Sequence, residues 1–213
     1  MKHLPRILMV AAAVALLMLF VFPMWQIILI APQYPHGVTM HIWINKIGGD
    51  TPSTIQNINI LNHYVGMKFI EPDAIPELKY FPMVIGAMAV LALIAAAVNR
   101  SKVYLGWALL MIALSVAGFY DFYLWEYDYG HNLSPKAPIK IPGASFQPPL
   151  IGTKYILNFT AISIPHIGGY FAGASIALAA AAWWLKNKLS RNEKADSIAD
   201  NGKPAAVGLH SVA

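Results

Sequence analysis

The residues of this chain that could do chemistry are histidines, methionines and carboxylates, since cysteine is absent from all 213 positions. Thioether sulfur binds Cu(I) well, and imidazole binds copper in either oxidation state. A site without cysteine also avoids thiol oxidation outside the cytoplasm. These residue types therefore favour copper as the metal, and the candidate ligands are Met40, His41, His63, Met67, Asp121, Asp128, His131 and His166.

The candidates of the first half of the chain lie between residues 36 and 67. His36 stands in a Pro-His-Gly turn context, which favours exposure over coordination. His63 and Met67 are four residues apart, so they would share one face of a helix. The apolar residues of segment 55–65 recur at helical spacing, which predicts that helix.

A second group lies in segment 119–131, which reads FYDFYLWEYDYGH. We expect Asp121 at or just inside the hydrocarbon boundary. A carboxylate at that depth is a candidate functional residue if it has a partner. His63 and His166 are its candidate partners. The other carboxylates of this segment have an alternative interpretation, in which they meet water or a partner chain. The histidines likewise have the alternative of a hydrogen bond to a neighbouring carboxylate or carbonyl.

The composition indicates that these residues are positioned by membrane helices. The chain is 57% hydrophobic and 12% charged, which is too apolar for an ordinary soluble domain of this length. Lysine and arginine collect near the N-terminus, at residues 100–102 and after residue 185, leaving long uncharged stretches between. No basic stripe with exposed aromatics is evident despite the net charge of +5, so no nucleic-acid partner is expected.

The apolar runs predict an all-α integral membrane protein with four transmembrane helices and two sizeable extracytoplasmic loops. The first run is longer than a signal-peptide core, which favours an uncleaved anchor over a cleaved signal peptide. The predicted segments are a first transmembrane helix at 1–30, an extracytoplasmic loop with a helix at 31–80, a transmembrane hairpin at 81–125, a Pro-rich extracytoplasmic loop at 126–154, a fourth transmembrane helix at 155–190 and a disordered cytoplasmic tail at 191–213.

The distribution of basic residues predicts the orientation of this topology. The residues that flank the predicted spans on one side are Lys2, Arg6, Arg100, Lys102, Lys186, Lys188 and Arg191. By the positive-inside rule that side is cytoplasmic. We therefore expect a multi-pass protein of the bacterial inner membrane with both termini in the cytoplasm, and with most candidate ligands at the outer face.

The phrase His63-Tyr64-Val65-Gly66-Met67, together with segment 119–131, resembles one family. The chain looks like the small polytopic membrane proteins, NosB-like, that are encoded beside nitrous oxide reductase in clade II gene clusters. The resemblance implies a role in nitrous oxide respiration, either in maturing the periplasmic copper enzyme or in supporting electron delivery to it. It supplies no ligand set. A looser likeness links the chain to membrane copper subunits of particulate methane or ammonia monooxygenases, which are longer.

Three classes of function follow from these observations. The first is a non-enzymatic accessory protein that binds copper at the outer membrane face for a periplasmic copper protein. The second is a component that handles quinol, in which His131 or His166 accepts a proton and Asp121 orients it. The third is a structural subunit of a respiratory or copper monooxygenase complex in the lipid bilayer, with other membrane subunits as partners.

Overall fold

The computed structural model describes residues 3–143 and 145–201, and within these ranges it contains five α-helices and five β-strands. The helices are α1 Leu4–Leu17, α2 Thr54–Val65, α3 Glu77–Val98, α4 Ser101–His131 and α5 Ile167–Asn201. The strands are β1 Trp25–Ala31, β2 Tyr34–Ile42, β3 Ile47–Gly49, β4 Gly152–Ile156 and β5 Phe159–Pro165. Short 3-10 turns lie at Met18–Phe20 and Pro72–Ala74.

Helices α1, α3, α4 and α5 pack side by side around a core that is rich in small residues. Its buried alanines include Ala12, Ala13, Ala92, Ala95, Ala179 and Ala182. Small side chains allow helix backbones to approach closely, which is how helices associate in lipid. Large apolar side chains such as Ile7, Leu109 and Val116 are exposed on the outside of this bundle, as a lipid-facing surface requires.

Three of these helices are long and apolar enough to cross a membrane: α3, α4 and the Ile167–Glu193 part of α5. The chain is a membrane protein on this evidence. The first apolar helix, Leu4–Phe20 with its 3-10 turn, is shorter. Residues 25–30, which are the last part of the predicted first transmembrane helix, instead belong to strand β1.

The prediction of an all-α fold is wrong, because a five-stranded antiparallel sheet accompanies the helices. Its strand order is β3-β2-β1-β5-β4. Strand β1 pairs with β2 on one side, Trp25 opposite Ile42, and with β5 on the other, Trp25 opposite Pro165. The sheet lies at the end of the bundle where α1 and α4 end and where α3 and α5 begin.

The all-α prediction was wrong because apolar strands were interpreted as parts of transmembrane helices. A run such as residues 25–31 is apolar on both faces, and periodicity alone cannot distinguish a central strand from a buried helix. Pro23 lies just after the helical region, which ends at Phe20, and it prevents the helix from continuing, since proline has no N–H and disfavours helix at the preceding residue. Strands β4 and β5 likewise form a hairpin around Leu157, with φ of 56°, where the fourth transmembrane helix was predicted to begin.

Two further segments differ from the predicted layout. Helix α4 continues to His131 rather than ending near Trp125, so its last turns extend past the bundle and pack on the sheet. Helix α5 continues to Asn201, so residues 191–201 are helical where a disordered tail was predicted. The remainder of that predicted tail, residues 202–213, lies outside the described residues, as do residues 1 and 2.

Candidate functional site

Two predicted ligands from distant parts of the sequence lie close together where the sheet adjoins the helix bundle. The imidazole rings of His41 and His166 lie with their centroids 5.1 Å apart and their planes at 74°. The Nδ1 atom of each ring is shielded from solvent and has no hydrogen-bond partner among the described residues. Buried polar atoms are otherwise paired, so two unpartnered nitrogens in neighbouring rings make this place a candidate binding site.

An aspartate that was not among the predicted ligands orients the first ring. The Nε2–H of His41 donates to Oδ1 of Asp50 at 2.8 Å. A neutral imidazole with its proton on Nε2 carries a lone pair on Nδ1. The bond to Asp50 therefore fixes the tautomer in which Nδ1 of His41 can bind a metal. Histidines that bind metals commonly donate their other N–H to a carboxylate in this way.

The electrostatics of Asp50 support that role. The hydrogen bond from His41 holds the pKa of Asp50 below its ordinary value, and a hydrogen bond from Thr39 acts in the same direction, against the opposing effect of burial. Asp50 therefore stays ionised and able to accept. Its side chain is 62% exposed, whereas that of His41 is 14% exposed, so the carboxylate faces water while the ring is sheltered.

The sheet register brings the two histidines together. Gln26 of β1 pairs with His41 on one side and with Ile164 on the other, so these three residues form a row across the sheet. Side chains two apart on a strand point to the same face. His166 follows Ile164 by two residues, just beyond the end of β5, and its N–H donates to the Met24 carbonyl at 2.9 Å.

Two glycines hold the first turn of α5 close to the chain that leaves α1. The N–H of Gly168 donates to the Pro23 carbonyl at 2.8 Å. A Cβ at Gly168 would lie 2.6 Å from the Phe22 carbonyl oxygen, and one at Gly169 would lie 2.7 Å from the Met24 carbonyl oxygen. Only glycine permits this approach, and it keeps His166 beside the base of β1.

The predicted methionine ligands lie on the opposite face of the sheet from the histidine pair. Met40 precedes His41 on β2, so its side chain points the other way and is 3% exposed. Met40 and Met67 both line a cavity of about 70 Å³ between the sheet, α2 and the last turns of α4. Four of the eight predicted ligands are therefore divided between two places, with His41 and His166 on one face of the sheet and Met40 and Met67 on the other.

A carboxylate of α4 lines the same cavity. Glu126 is fully buried, and neither of its carboxylate oxygens has a hydrogen-bond partner among the described residues. Aromatic neighbours on the same helix face, Trp125 and Tyr129, also line the cavity. Burial of an unpaired carboxylate is costly, so this residue is a second candidate functional group.

The remaining predicted ligands on the first loop and on the membrane helix stand apart from both places. His63 is exposed on α2 and contacts the rings of Tyr64 and Phe69. Asp121 is partly buried on α4, and the charged side chain that acts on it is Glu77 rather than either predicted histidine partner. The predicted meeting of Asp121 with His63 or His166 is not present in the structure.

The two candidates at the end of α4 have local partners. Asp128 accepts from Nζ of Lys68 at 2.6 Å and also from the Asn132 side chain. His131 stacks on Tyr127 at 4.0 Å between ring centroids, and its Nδ1–H donates to the Tyr127 carbonyl. The hydrogen bond of His131 to a carbonyl is the alternative that the sequence left open for the histidines, whereas the ion pair of Asp128 with Lys68 was not predicted. In the described part of the chain, no three His, Asp or Glu side chains form a group that could hold a metal ion.

Sequence reasoning missed Asp50 and undervalued Glu126. Asp50 follows Gly48-Gly49, and only the pairing of β3 with β2 brings it beside His41. Glu126 lies four residues after Phe122 and one after Trp125, on the aromatic face of α4. That spacing was a usable signal, because a carboxylate within a buried helical stripe is placed in the core.

Comparison with protein-family models, with curated proteins and with solved structures finds no match for this chain.

Proposed function

We propose that this chain is a membrane accessory protein that binds copper at the outer face of a bacterial inner membrane and supplies it to a periplasmic copper enzyme such as nitrous oxide reductase. The observation that carries the proposal is the pair of buried, unpartnered Nδ1 atoms in His41 and His166. Asp50 supports the first of these rings through its Nε2–H. The resemblance of segments 63–67 and 119–131 to NosB-like proteins suggests the partner enzyme.

The geometry of the pair is compatible with a shared ion. Two imidazoles that bind one tetrahedral ion through metal–nitrogen bonds of about 2.0 Å have ring centroids about 5 Å apart. The centroids of His41 and His166 are 5.1 Å apart. Copper suits a site with few protein ligands, because Cu(II) has the highest affinity of the divalent first-row metals for nitrogen donors.

The connectivity of the bundle supports the proposed orientation. Arg6, Arg100, Lys102 and Lys186 lie at the end of the helices opposite the sheet, where α1 begins, α3 gives way to α4 and α5 leaves the bundle. The positive-inside rule assigns that end to the cytoplasm. The sheet and the histidine pair are then extracytoplasmic, where a periplasmic acceptor can reach them, and both termini are cytoplasmic.

The test is a copper titration of the purified full-length chain in lipid nanodiscs. We expect the wild-type chain to bind Cu(II), with nitrogen couplings in its electron paramagnetic resonance spectrum, and to lose roughly tenfold or more in affinity in His41→Ala and in His166→Ala. His63→Ala and His131→Ala are the matched controls, since both rings lie away from the pair. These two variants should bind as the wild type does.

Equal copper affinity in all four variants would remove the proposal. If the chain also co-purifies with other membrane subunits while these variants stay silent, a structural role in a complex takes its place. A quinol site in the cavity next to Glu126 has less support, because about 70 Å³ is about half the roughly 150 Å³ that accommodates benzene.

A further inference from the structure

The cavity on the other face of the sheet contains one buried carboxyl group, that of Glu126, without a partner among the described residues. Both of its carboxylate oxygens are buried, and neither has a hydrogen-bond partner in the part of the chain that the structure describes. Lys154 is the cation that acts on Glu126 electrostatically, but its Nζ donates to the Gln147 carbonyl at 3.0 Å and its side chain is exposed. An isolated carboxylate in an apolar setting needs a cation or a proton.

The cavity also offers soft donor atoms. Met40 and Met67 contribute thioether side chains to its lining. Thioether sulfur selects Cu(I) among the common biological metals. Met67 is only partly buried, so the cavity can be reached from the side of the loop that follows α2. One carboxylate would balance the charge of one monovalent ion, and the two thioethers would supply neutral sulfur ligands.

We infer that this cavity is a second site, independent of the histidine pair, which takes a soft monovalent cation such as Cu(I) with Glu126, Met40 and Met67 as its ligands. The sheet separates it from the first site, because Met40 and His41 are consecutive on β2 and point to opposite faces. The two sites differ in donor type, with nitrogen on one face and sulfur with oxygen on the other.

Other occupants fit the cavity less well. An apolar molecule would leave both oxygens of Glu126 without a partner. A hard divalent cation takes six or more oxygen ligands. The other oxygen-bearing side chains of the lining are Asn62 and Tyr129, and these donate to the carbonyls of Lys68 and Phe69. The volume of about 70 Å³ is ample for a single ion.

Silver(I) is the probe for this site, because it has the charge and the sulfur preference of Cu(I) without its redox chemistry. The full-length chain in nanodiscs is titrated with silver nitrate, and bound silver is counted after gel filtration. We expect one equivalent in the His41→Ala/His166→Ala double variant, which lacks the histidine pair and so reports on the cavity alone. Met40→Leu, Met67→Leu and Glu126→Gln should each weaken silver binding by roughly tenfold or more. Loss of a side chain that hydrogen-bonds to a metal ligand already lowers affinity by about tenfold or more, and loss of a ligand itself should cost at least as much.

The controls are Met88→Leu and Met111→Leu, which replace buried methionines of the membrane bundle. Both should bind silver as the wild type does. Thermal unfolding with and without silver checks that each variant is folded, since an ion that binds only the native state raises its unfolding temperature. Glu126→Gln keeps the shape of the side chain, replaces one oxygen by an NH2 group and cannot ionise, so the buried position stays uncharged and the variant should unfold no earlier than the wild type in the absence of silver.

Three results would overturn the inference: no silver bound by the wild type, unchanged binding in Glu126→Gln, or equal losses in the control and test methionine variants. The outcome is separable from that of the proposed function. Loss of Cu(II) in the histidine variants with no silver site supports the histidine pair alone. Retained silver in a chain that does not bind Cu(II) supports the cavity alone. Sulfur neighbours around Cu(I) in X-ray absorption of the reduced protein would assign the metal to the cavity directly.

Discussion

Replacing Asp50 by Asn tests whether this carboxylate prepares His41 for a metal. Asparagine has nearly the same shape, but its amide can present either an acceptor or a donor to Nε2, so the tautomer of His41 is no longer fixed. Loss of the carboxylate partner of a metal-binding histidine costs 10–100-fold in affinity, as a rough range. Because Asp50 is 62% exposed and so screened by water, we expect the lower end, about tenfold or about 1.4 kcal/mol.

The effect on folding should be smaller than the effect on binding. Exposed ion pairs contribute up to about 1 kcal/mol. The pKa of Asp50 is lowered in the folded chain, chiefly by the bond from His41. Its contribution is therefore present above the unfolded pKa of about 3.9 and is lost as the pH falls through the lower folded value. The difference in unfolding temperature between wild type and Asp50→Asn should disappear in that acid range.

The assay is competition for Cu(II) against a chelator of known affinity at constant pH. Asp128→Asn is the matched control, since Asp128 is a partly exposed carboxylate with a 2.6 Å ion pair but lies away from the histidines. It should lose stability on the same small scale and keep its copper affinity. If Asp50→Asn binds copper as tightly as Asp128→Asn does, Asp50 does not orient the ring and the reasoning fails.

Three other predictions concern the frame around the site. The Cβ of Gly169→Ala would lie 2.7 Å from a backbone oxygen, so this variant should displace His166 and weaken copper binding. Gly173 lies on the same helix with open space around it, so Gly173→Ala should be neutral or raise thermal stability. Ser163→Ala removes the buried acceptor of the Trp25 indole N–H, which lies 2.7 Å away. In a denaturant titration this variant should lose about 1–3 kcal/mol of unfolding free energy. An unchanged midpoint would contradict the assigned hydrogen bond. The chain has no cysteine, so single cysteines report on orientation. In intact cells His36→Cys should react with a membrane-impermeant maleimide and Lys102→Cys should not. The reverse pattern would show that the proposed orientation of the chain in the membrane is wrong.

The helical part of the fold was more accessible to sequence reasoning than the sheet. Segments 81–98 and 103–125 are apolar, uninterrupted and separated by a short basic tip, and helices α3 and α4 cover both. Here the required length of a membrane crossing limits the possibilities. In residues 25–31 and 159–165 the same apolar character belongs to central strands. Their identity depends on pairing partners more than 100 residues apart, which local periodicity cannot reveal.

The same limit applies to the candidate site. His41 and His166 were both recognised as possible ligands from their residue type, but His63, Asp121 and His131 had equal claims at that stage. What distinguishes the pair is the register of three strands, through the row formed by His41, Gln26 and Ile164. Ligand identity could thus be suggested by the sequence, whereas selection among candidates needed the sheet.

Adjacent candidates in a sequence are poor evidence for a shared site once the segment is a strand. Met40 and His41 would lie side by side on a helix surface only 100° apart, but on β2 they face opposite directions. A shift of one residue in the pairing of β2 would exchange them, placing an imidazole in the apolar cavity and a thioether beside Asp50. Strand β2 is held in register by β1 on one side and β3 on the other. The short strand β3 therefore serves both sites, since it positions Asp50 and fixes the face to which each ligand points.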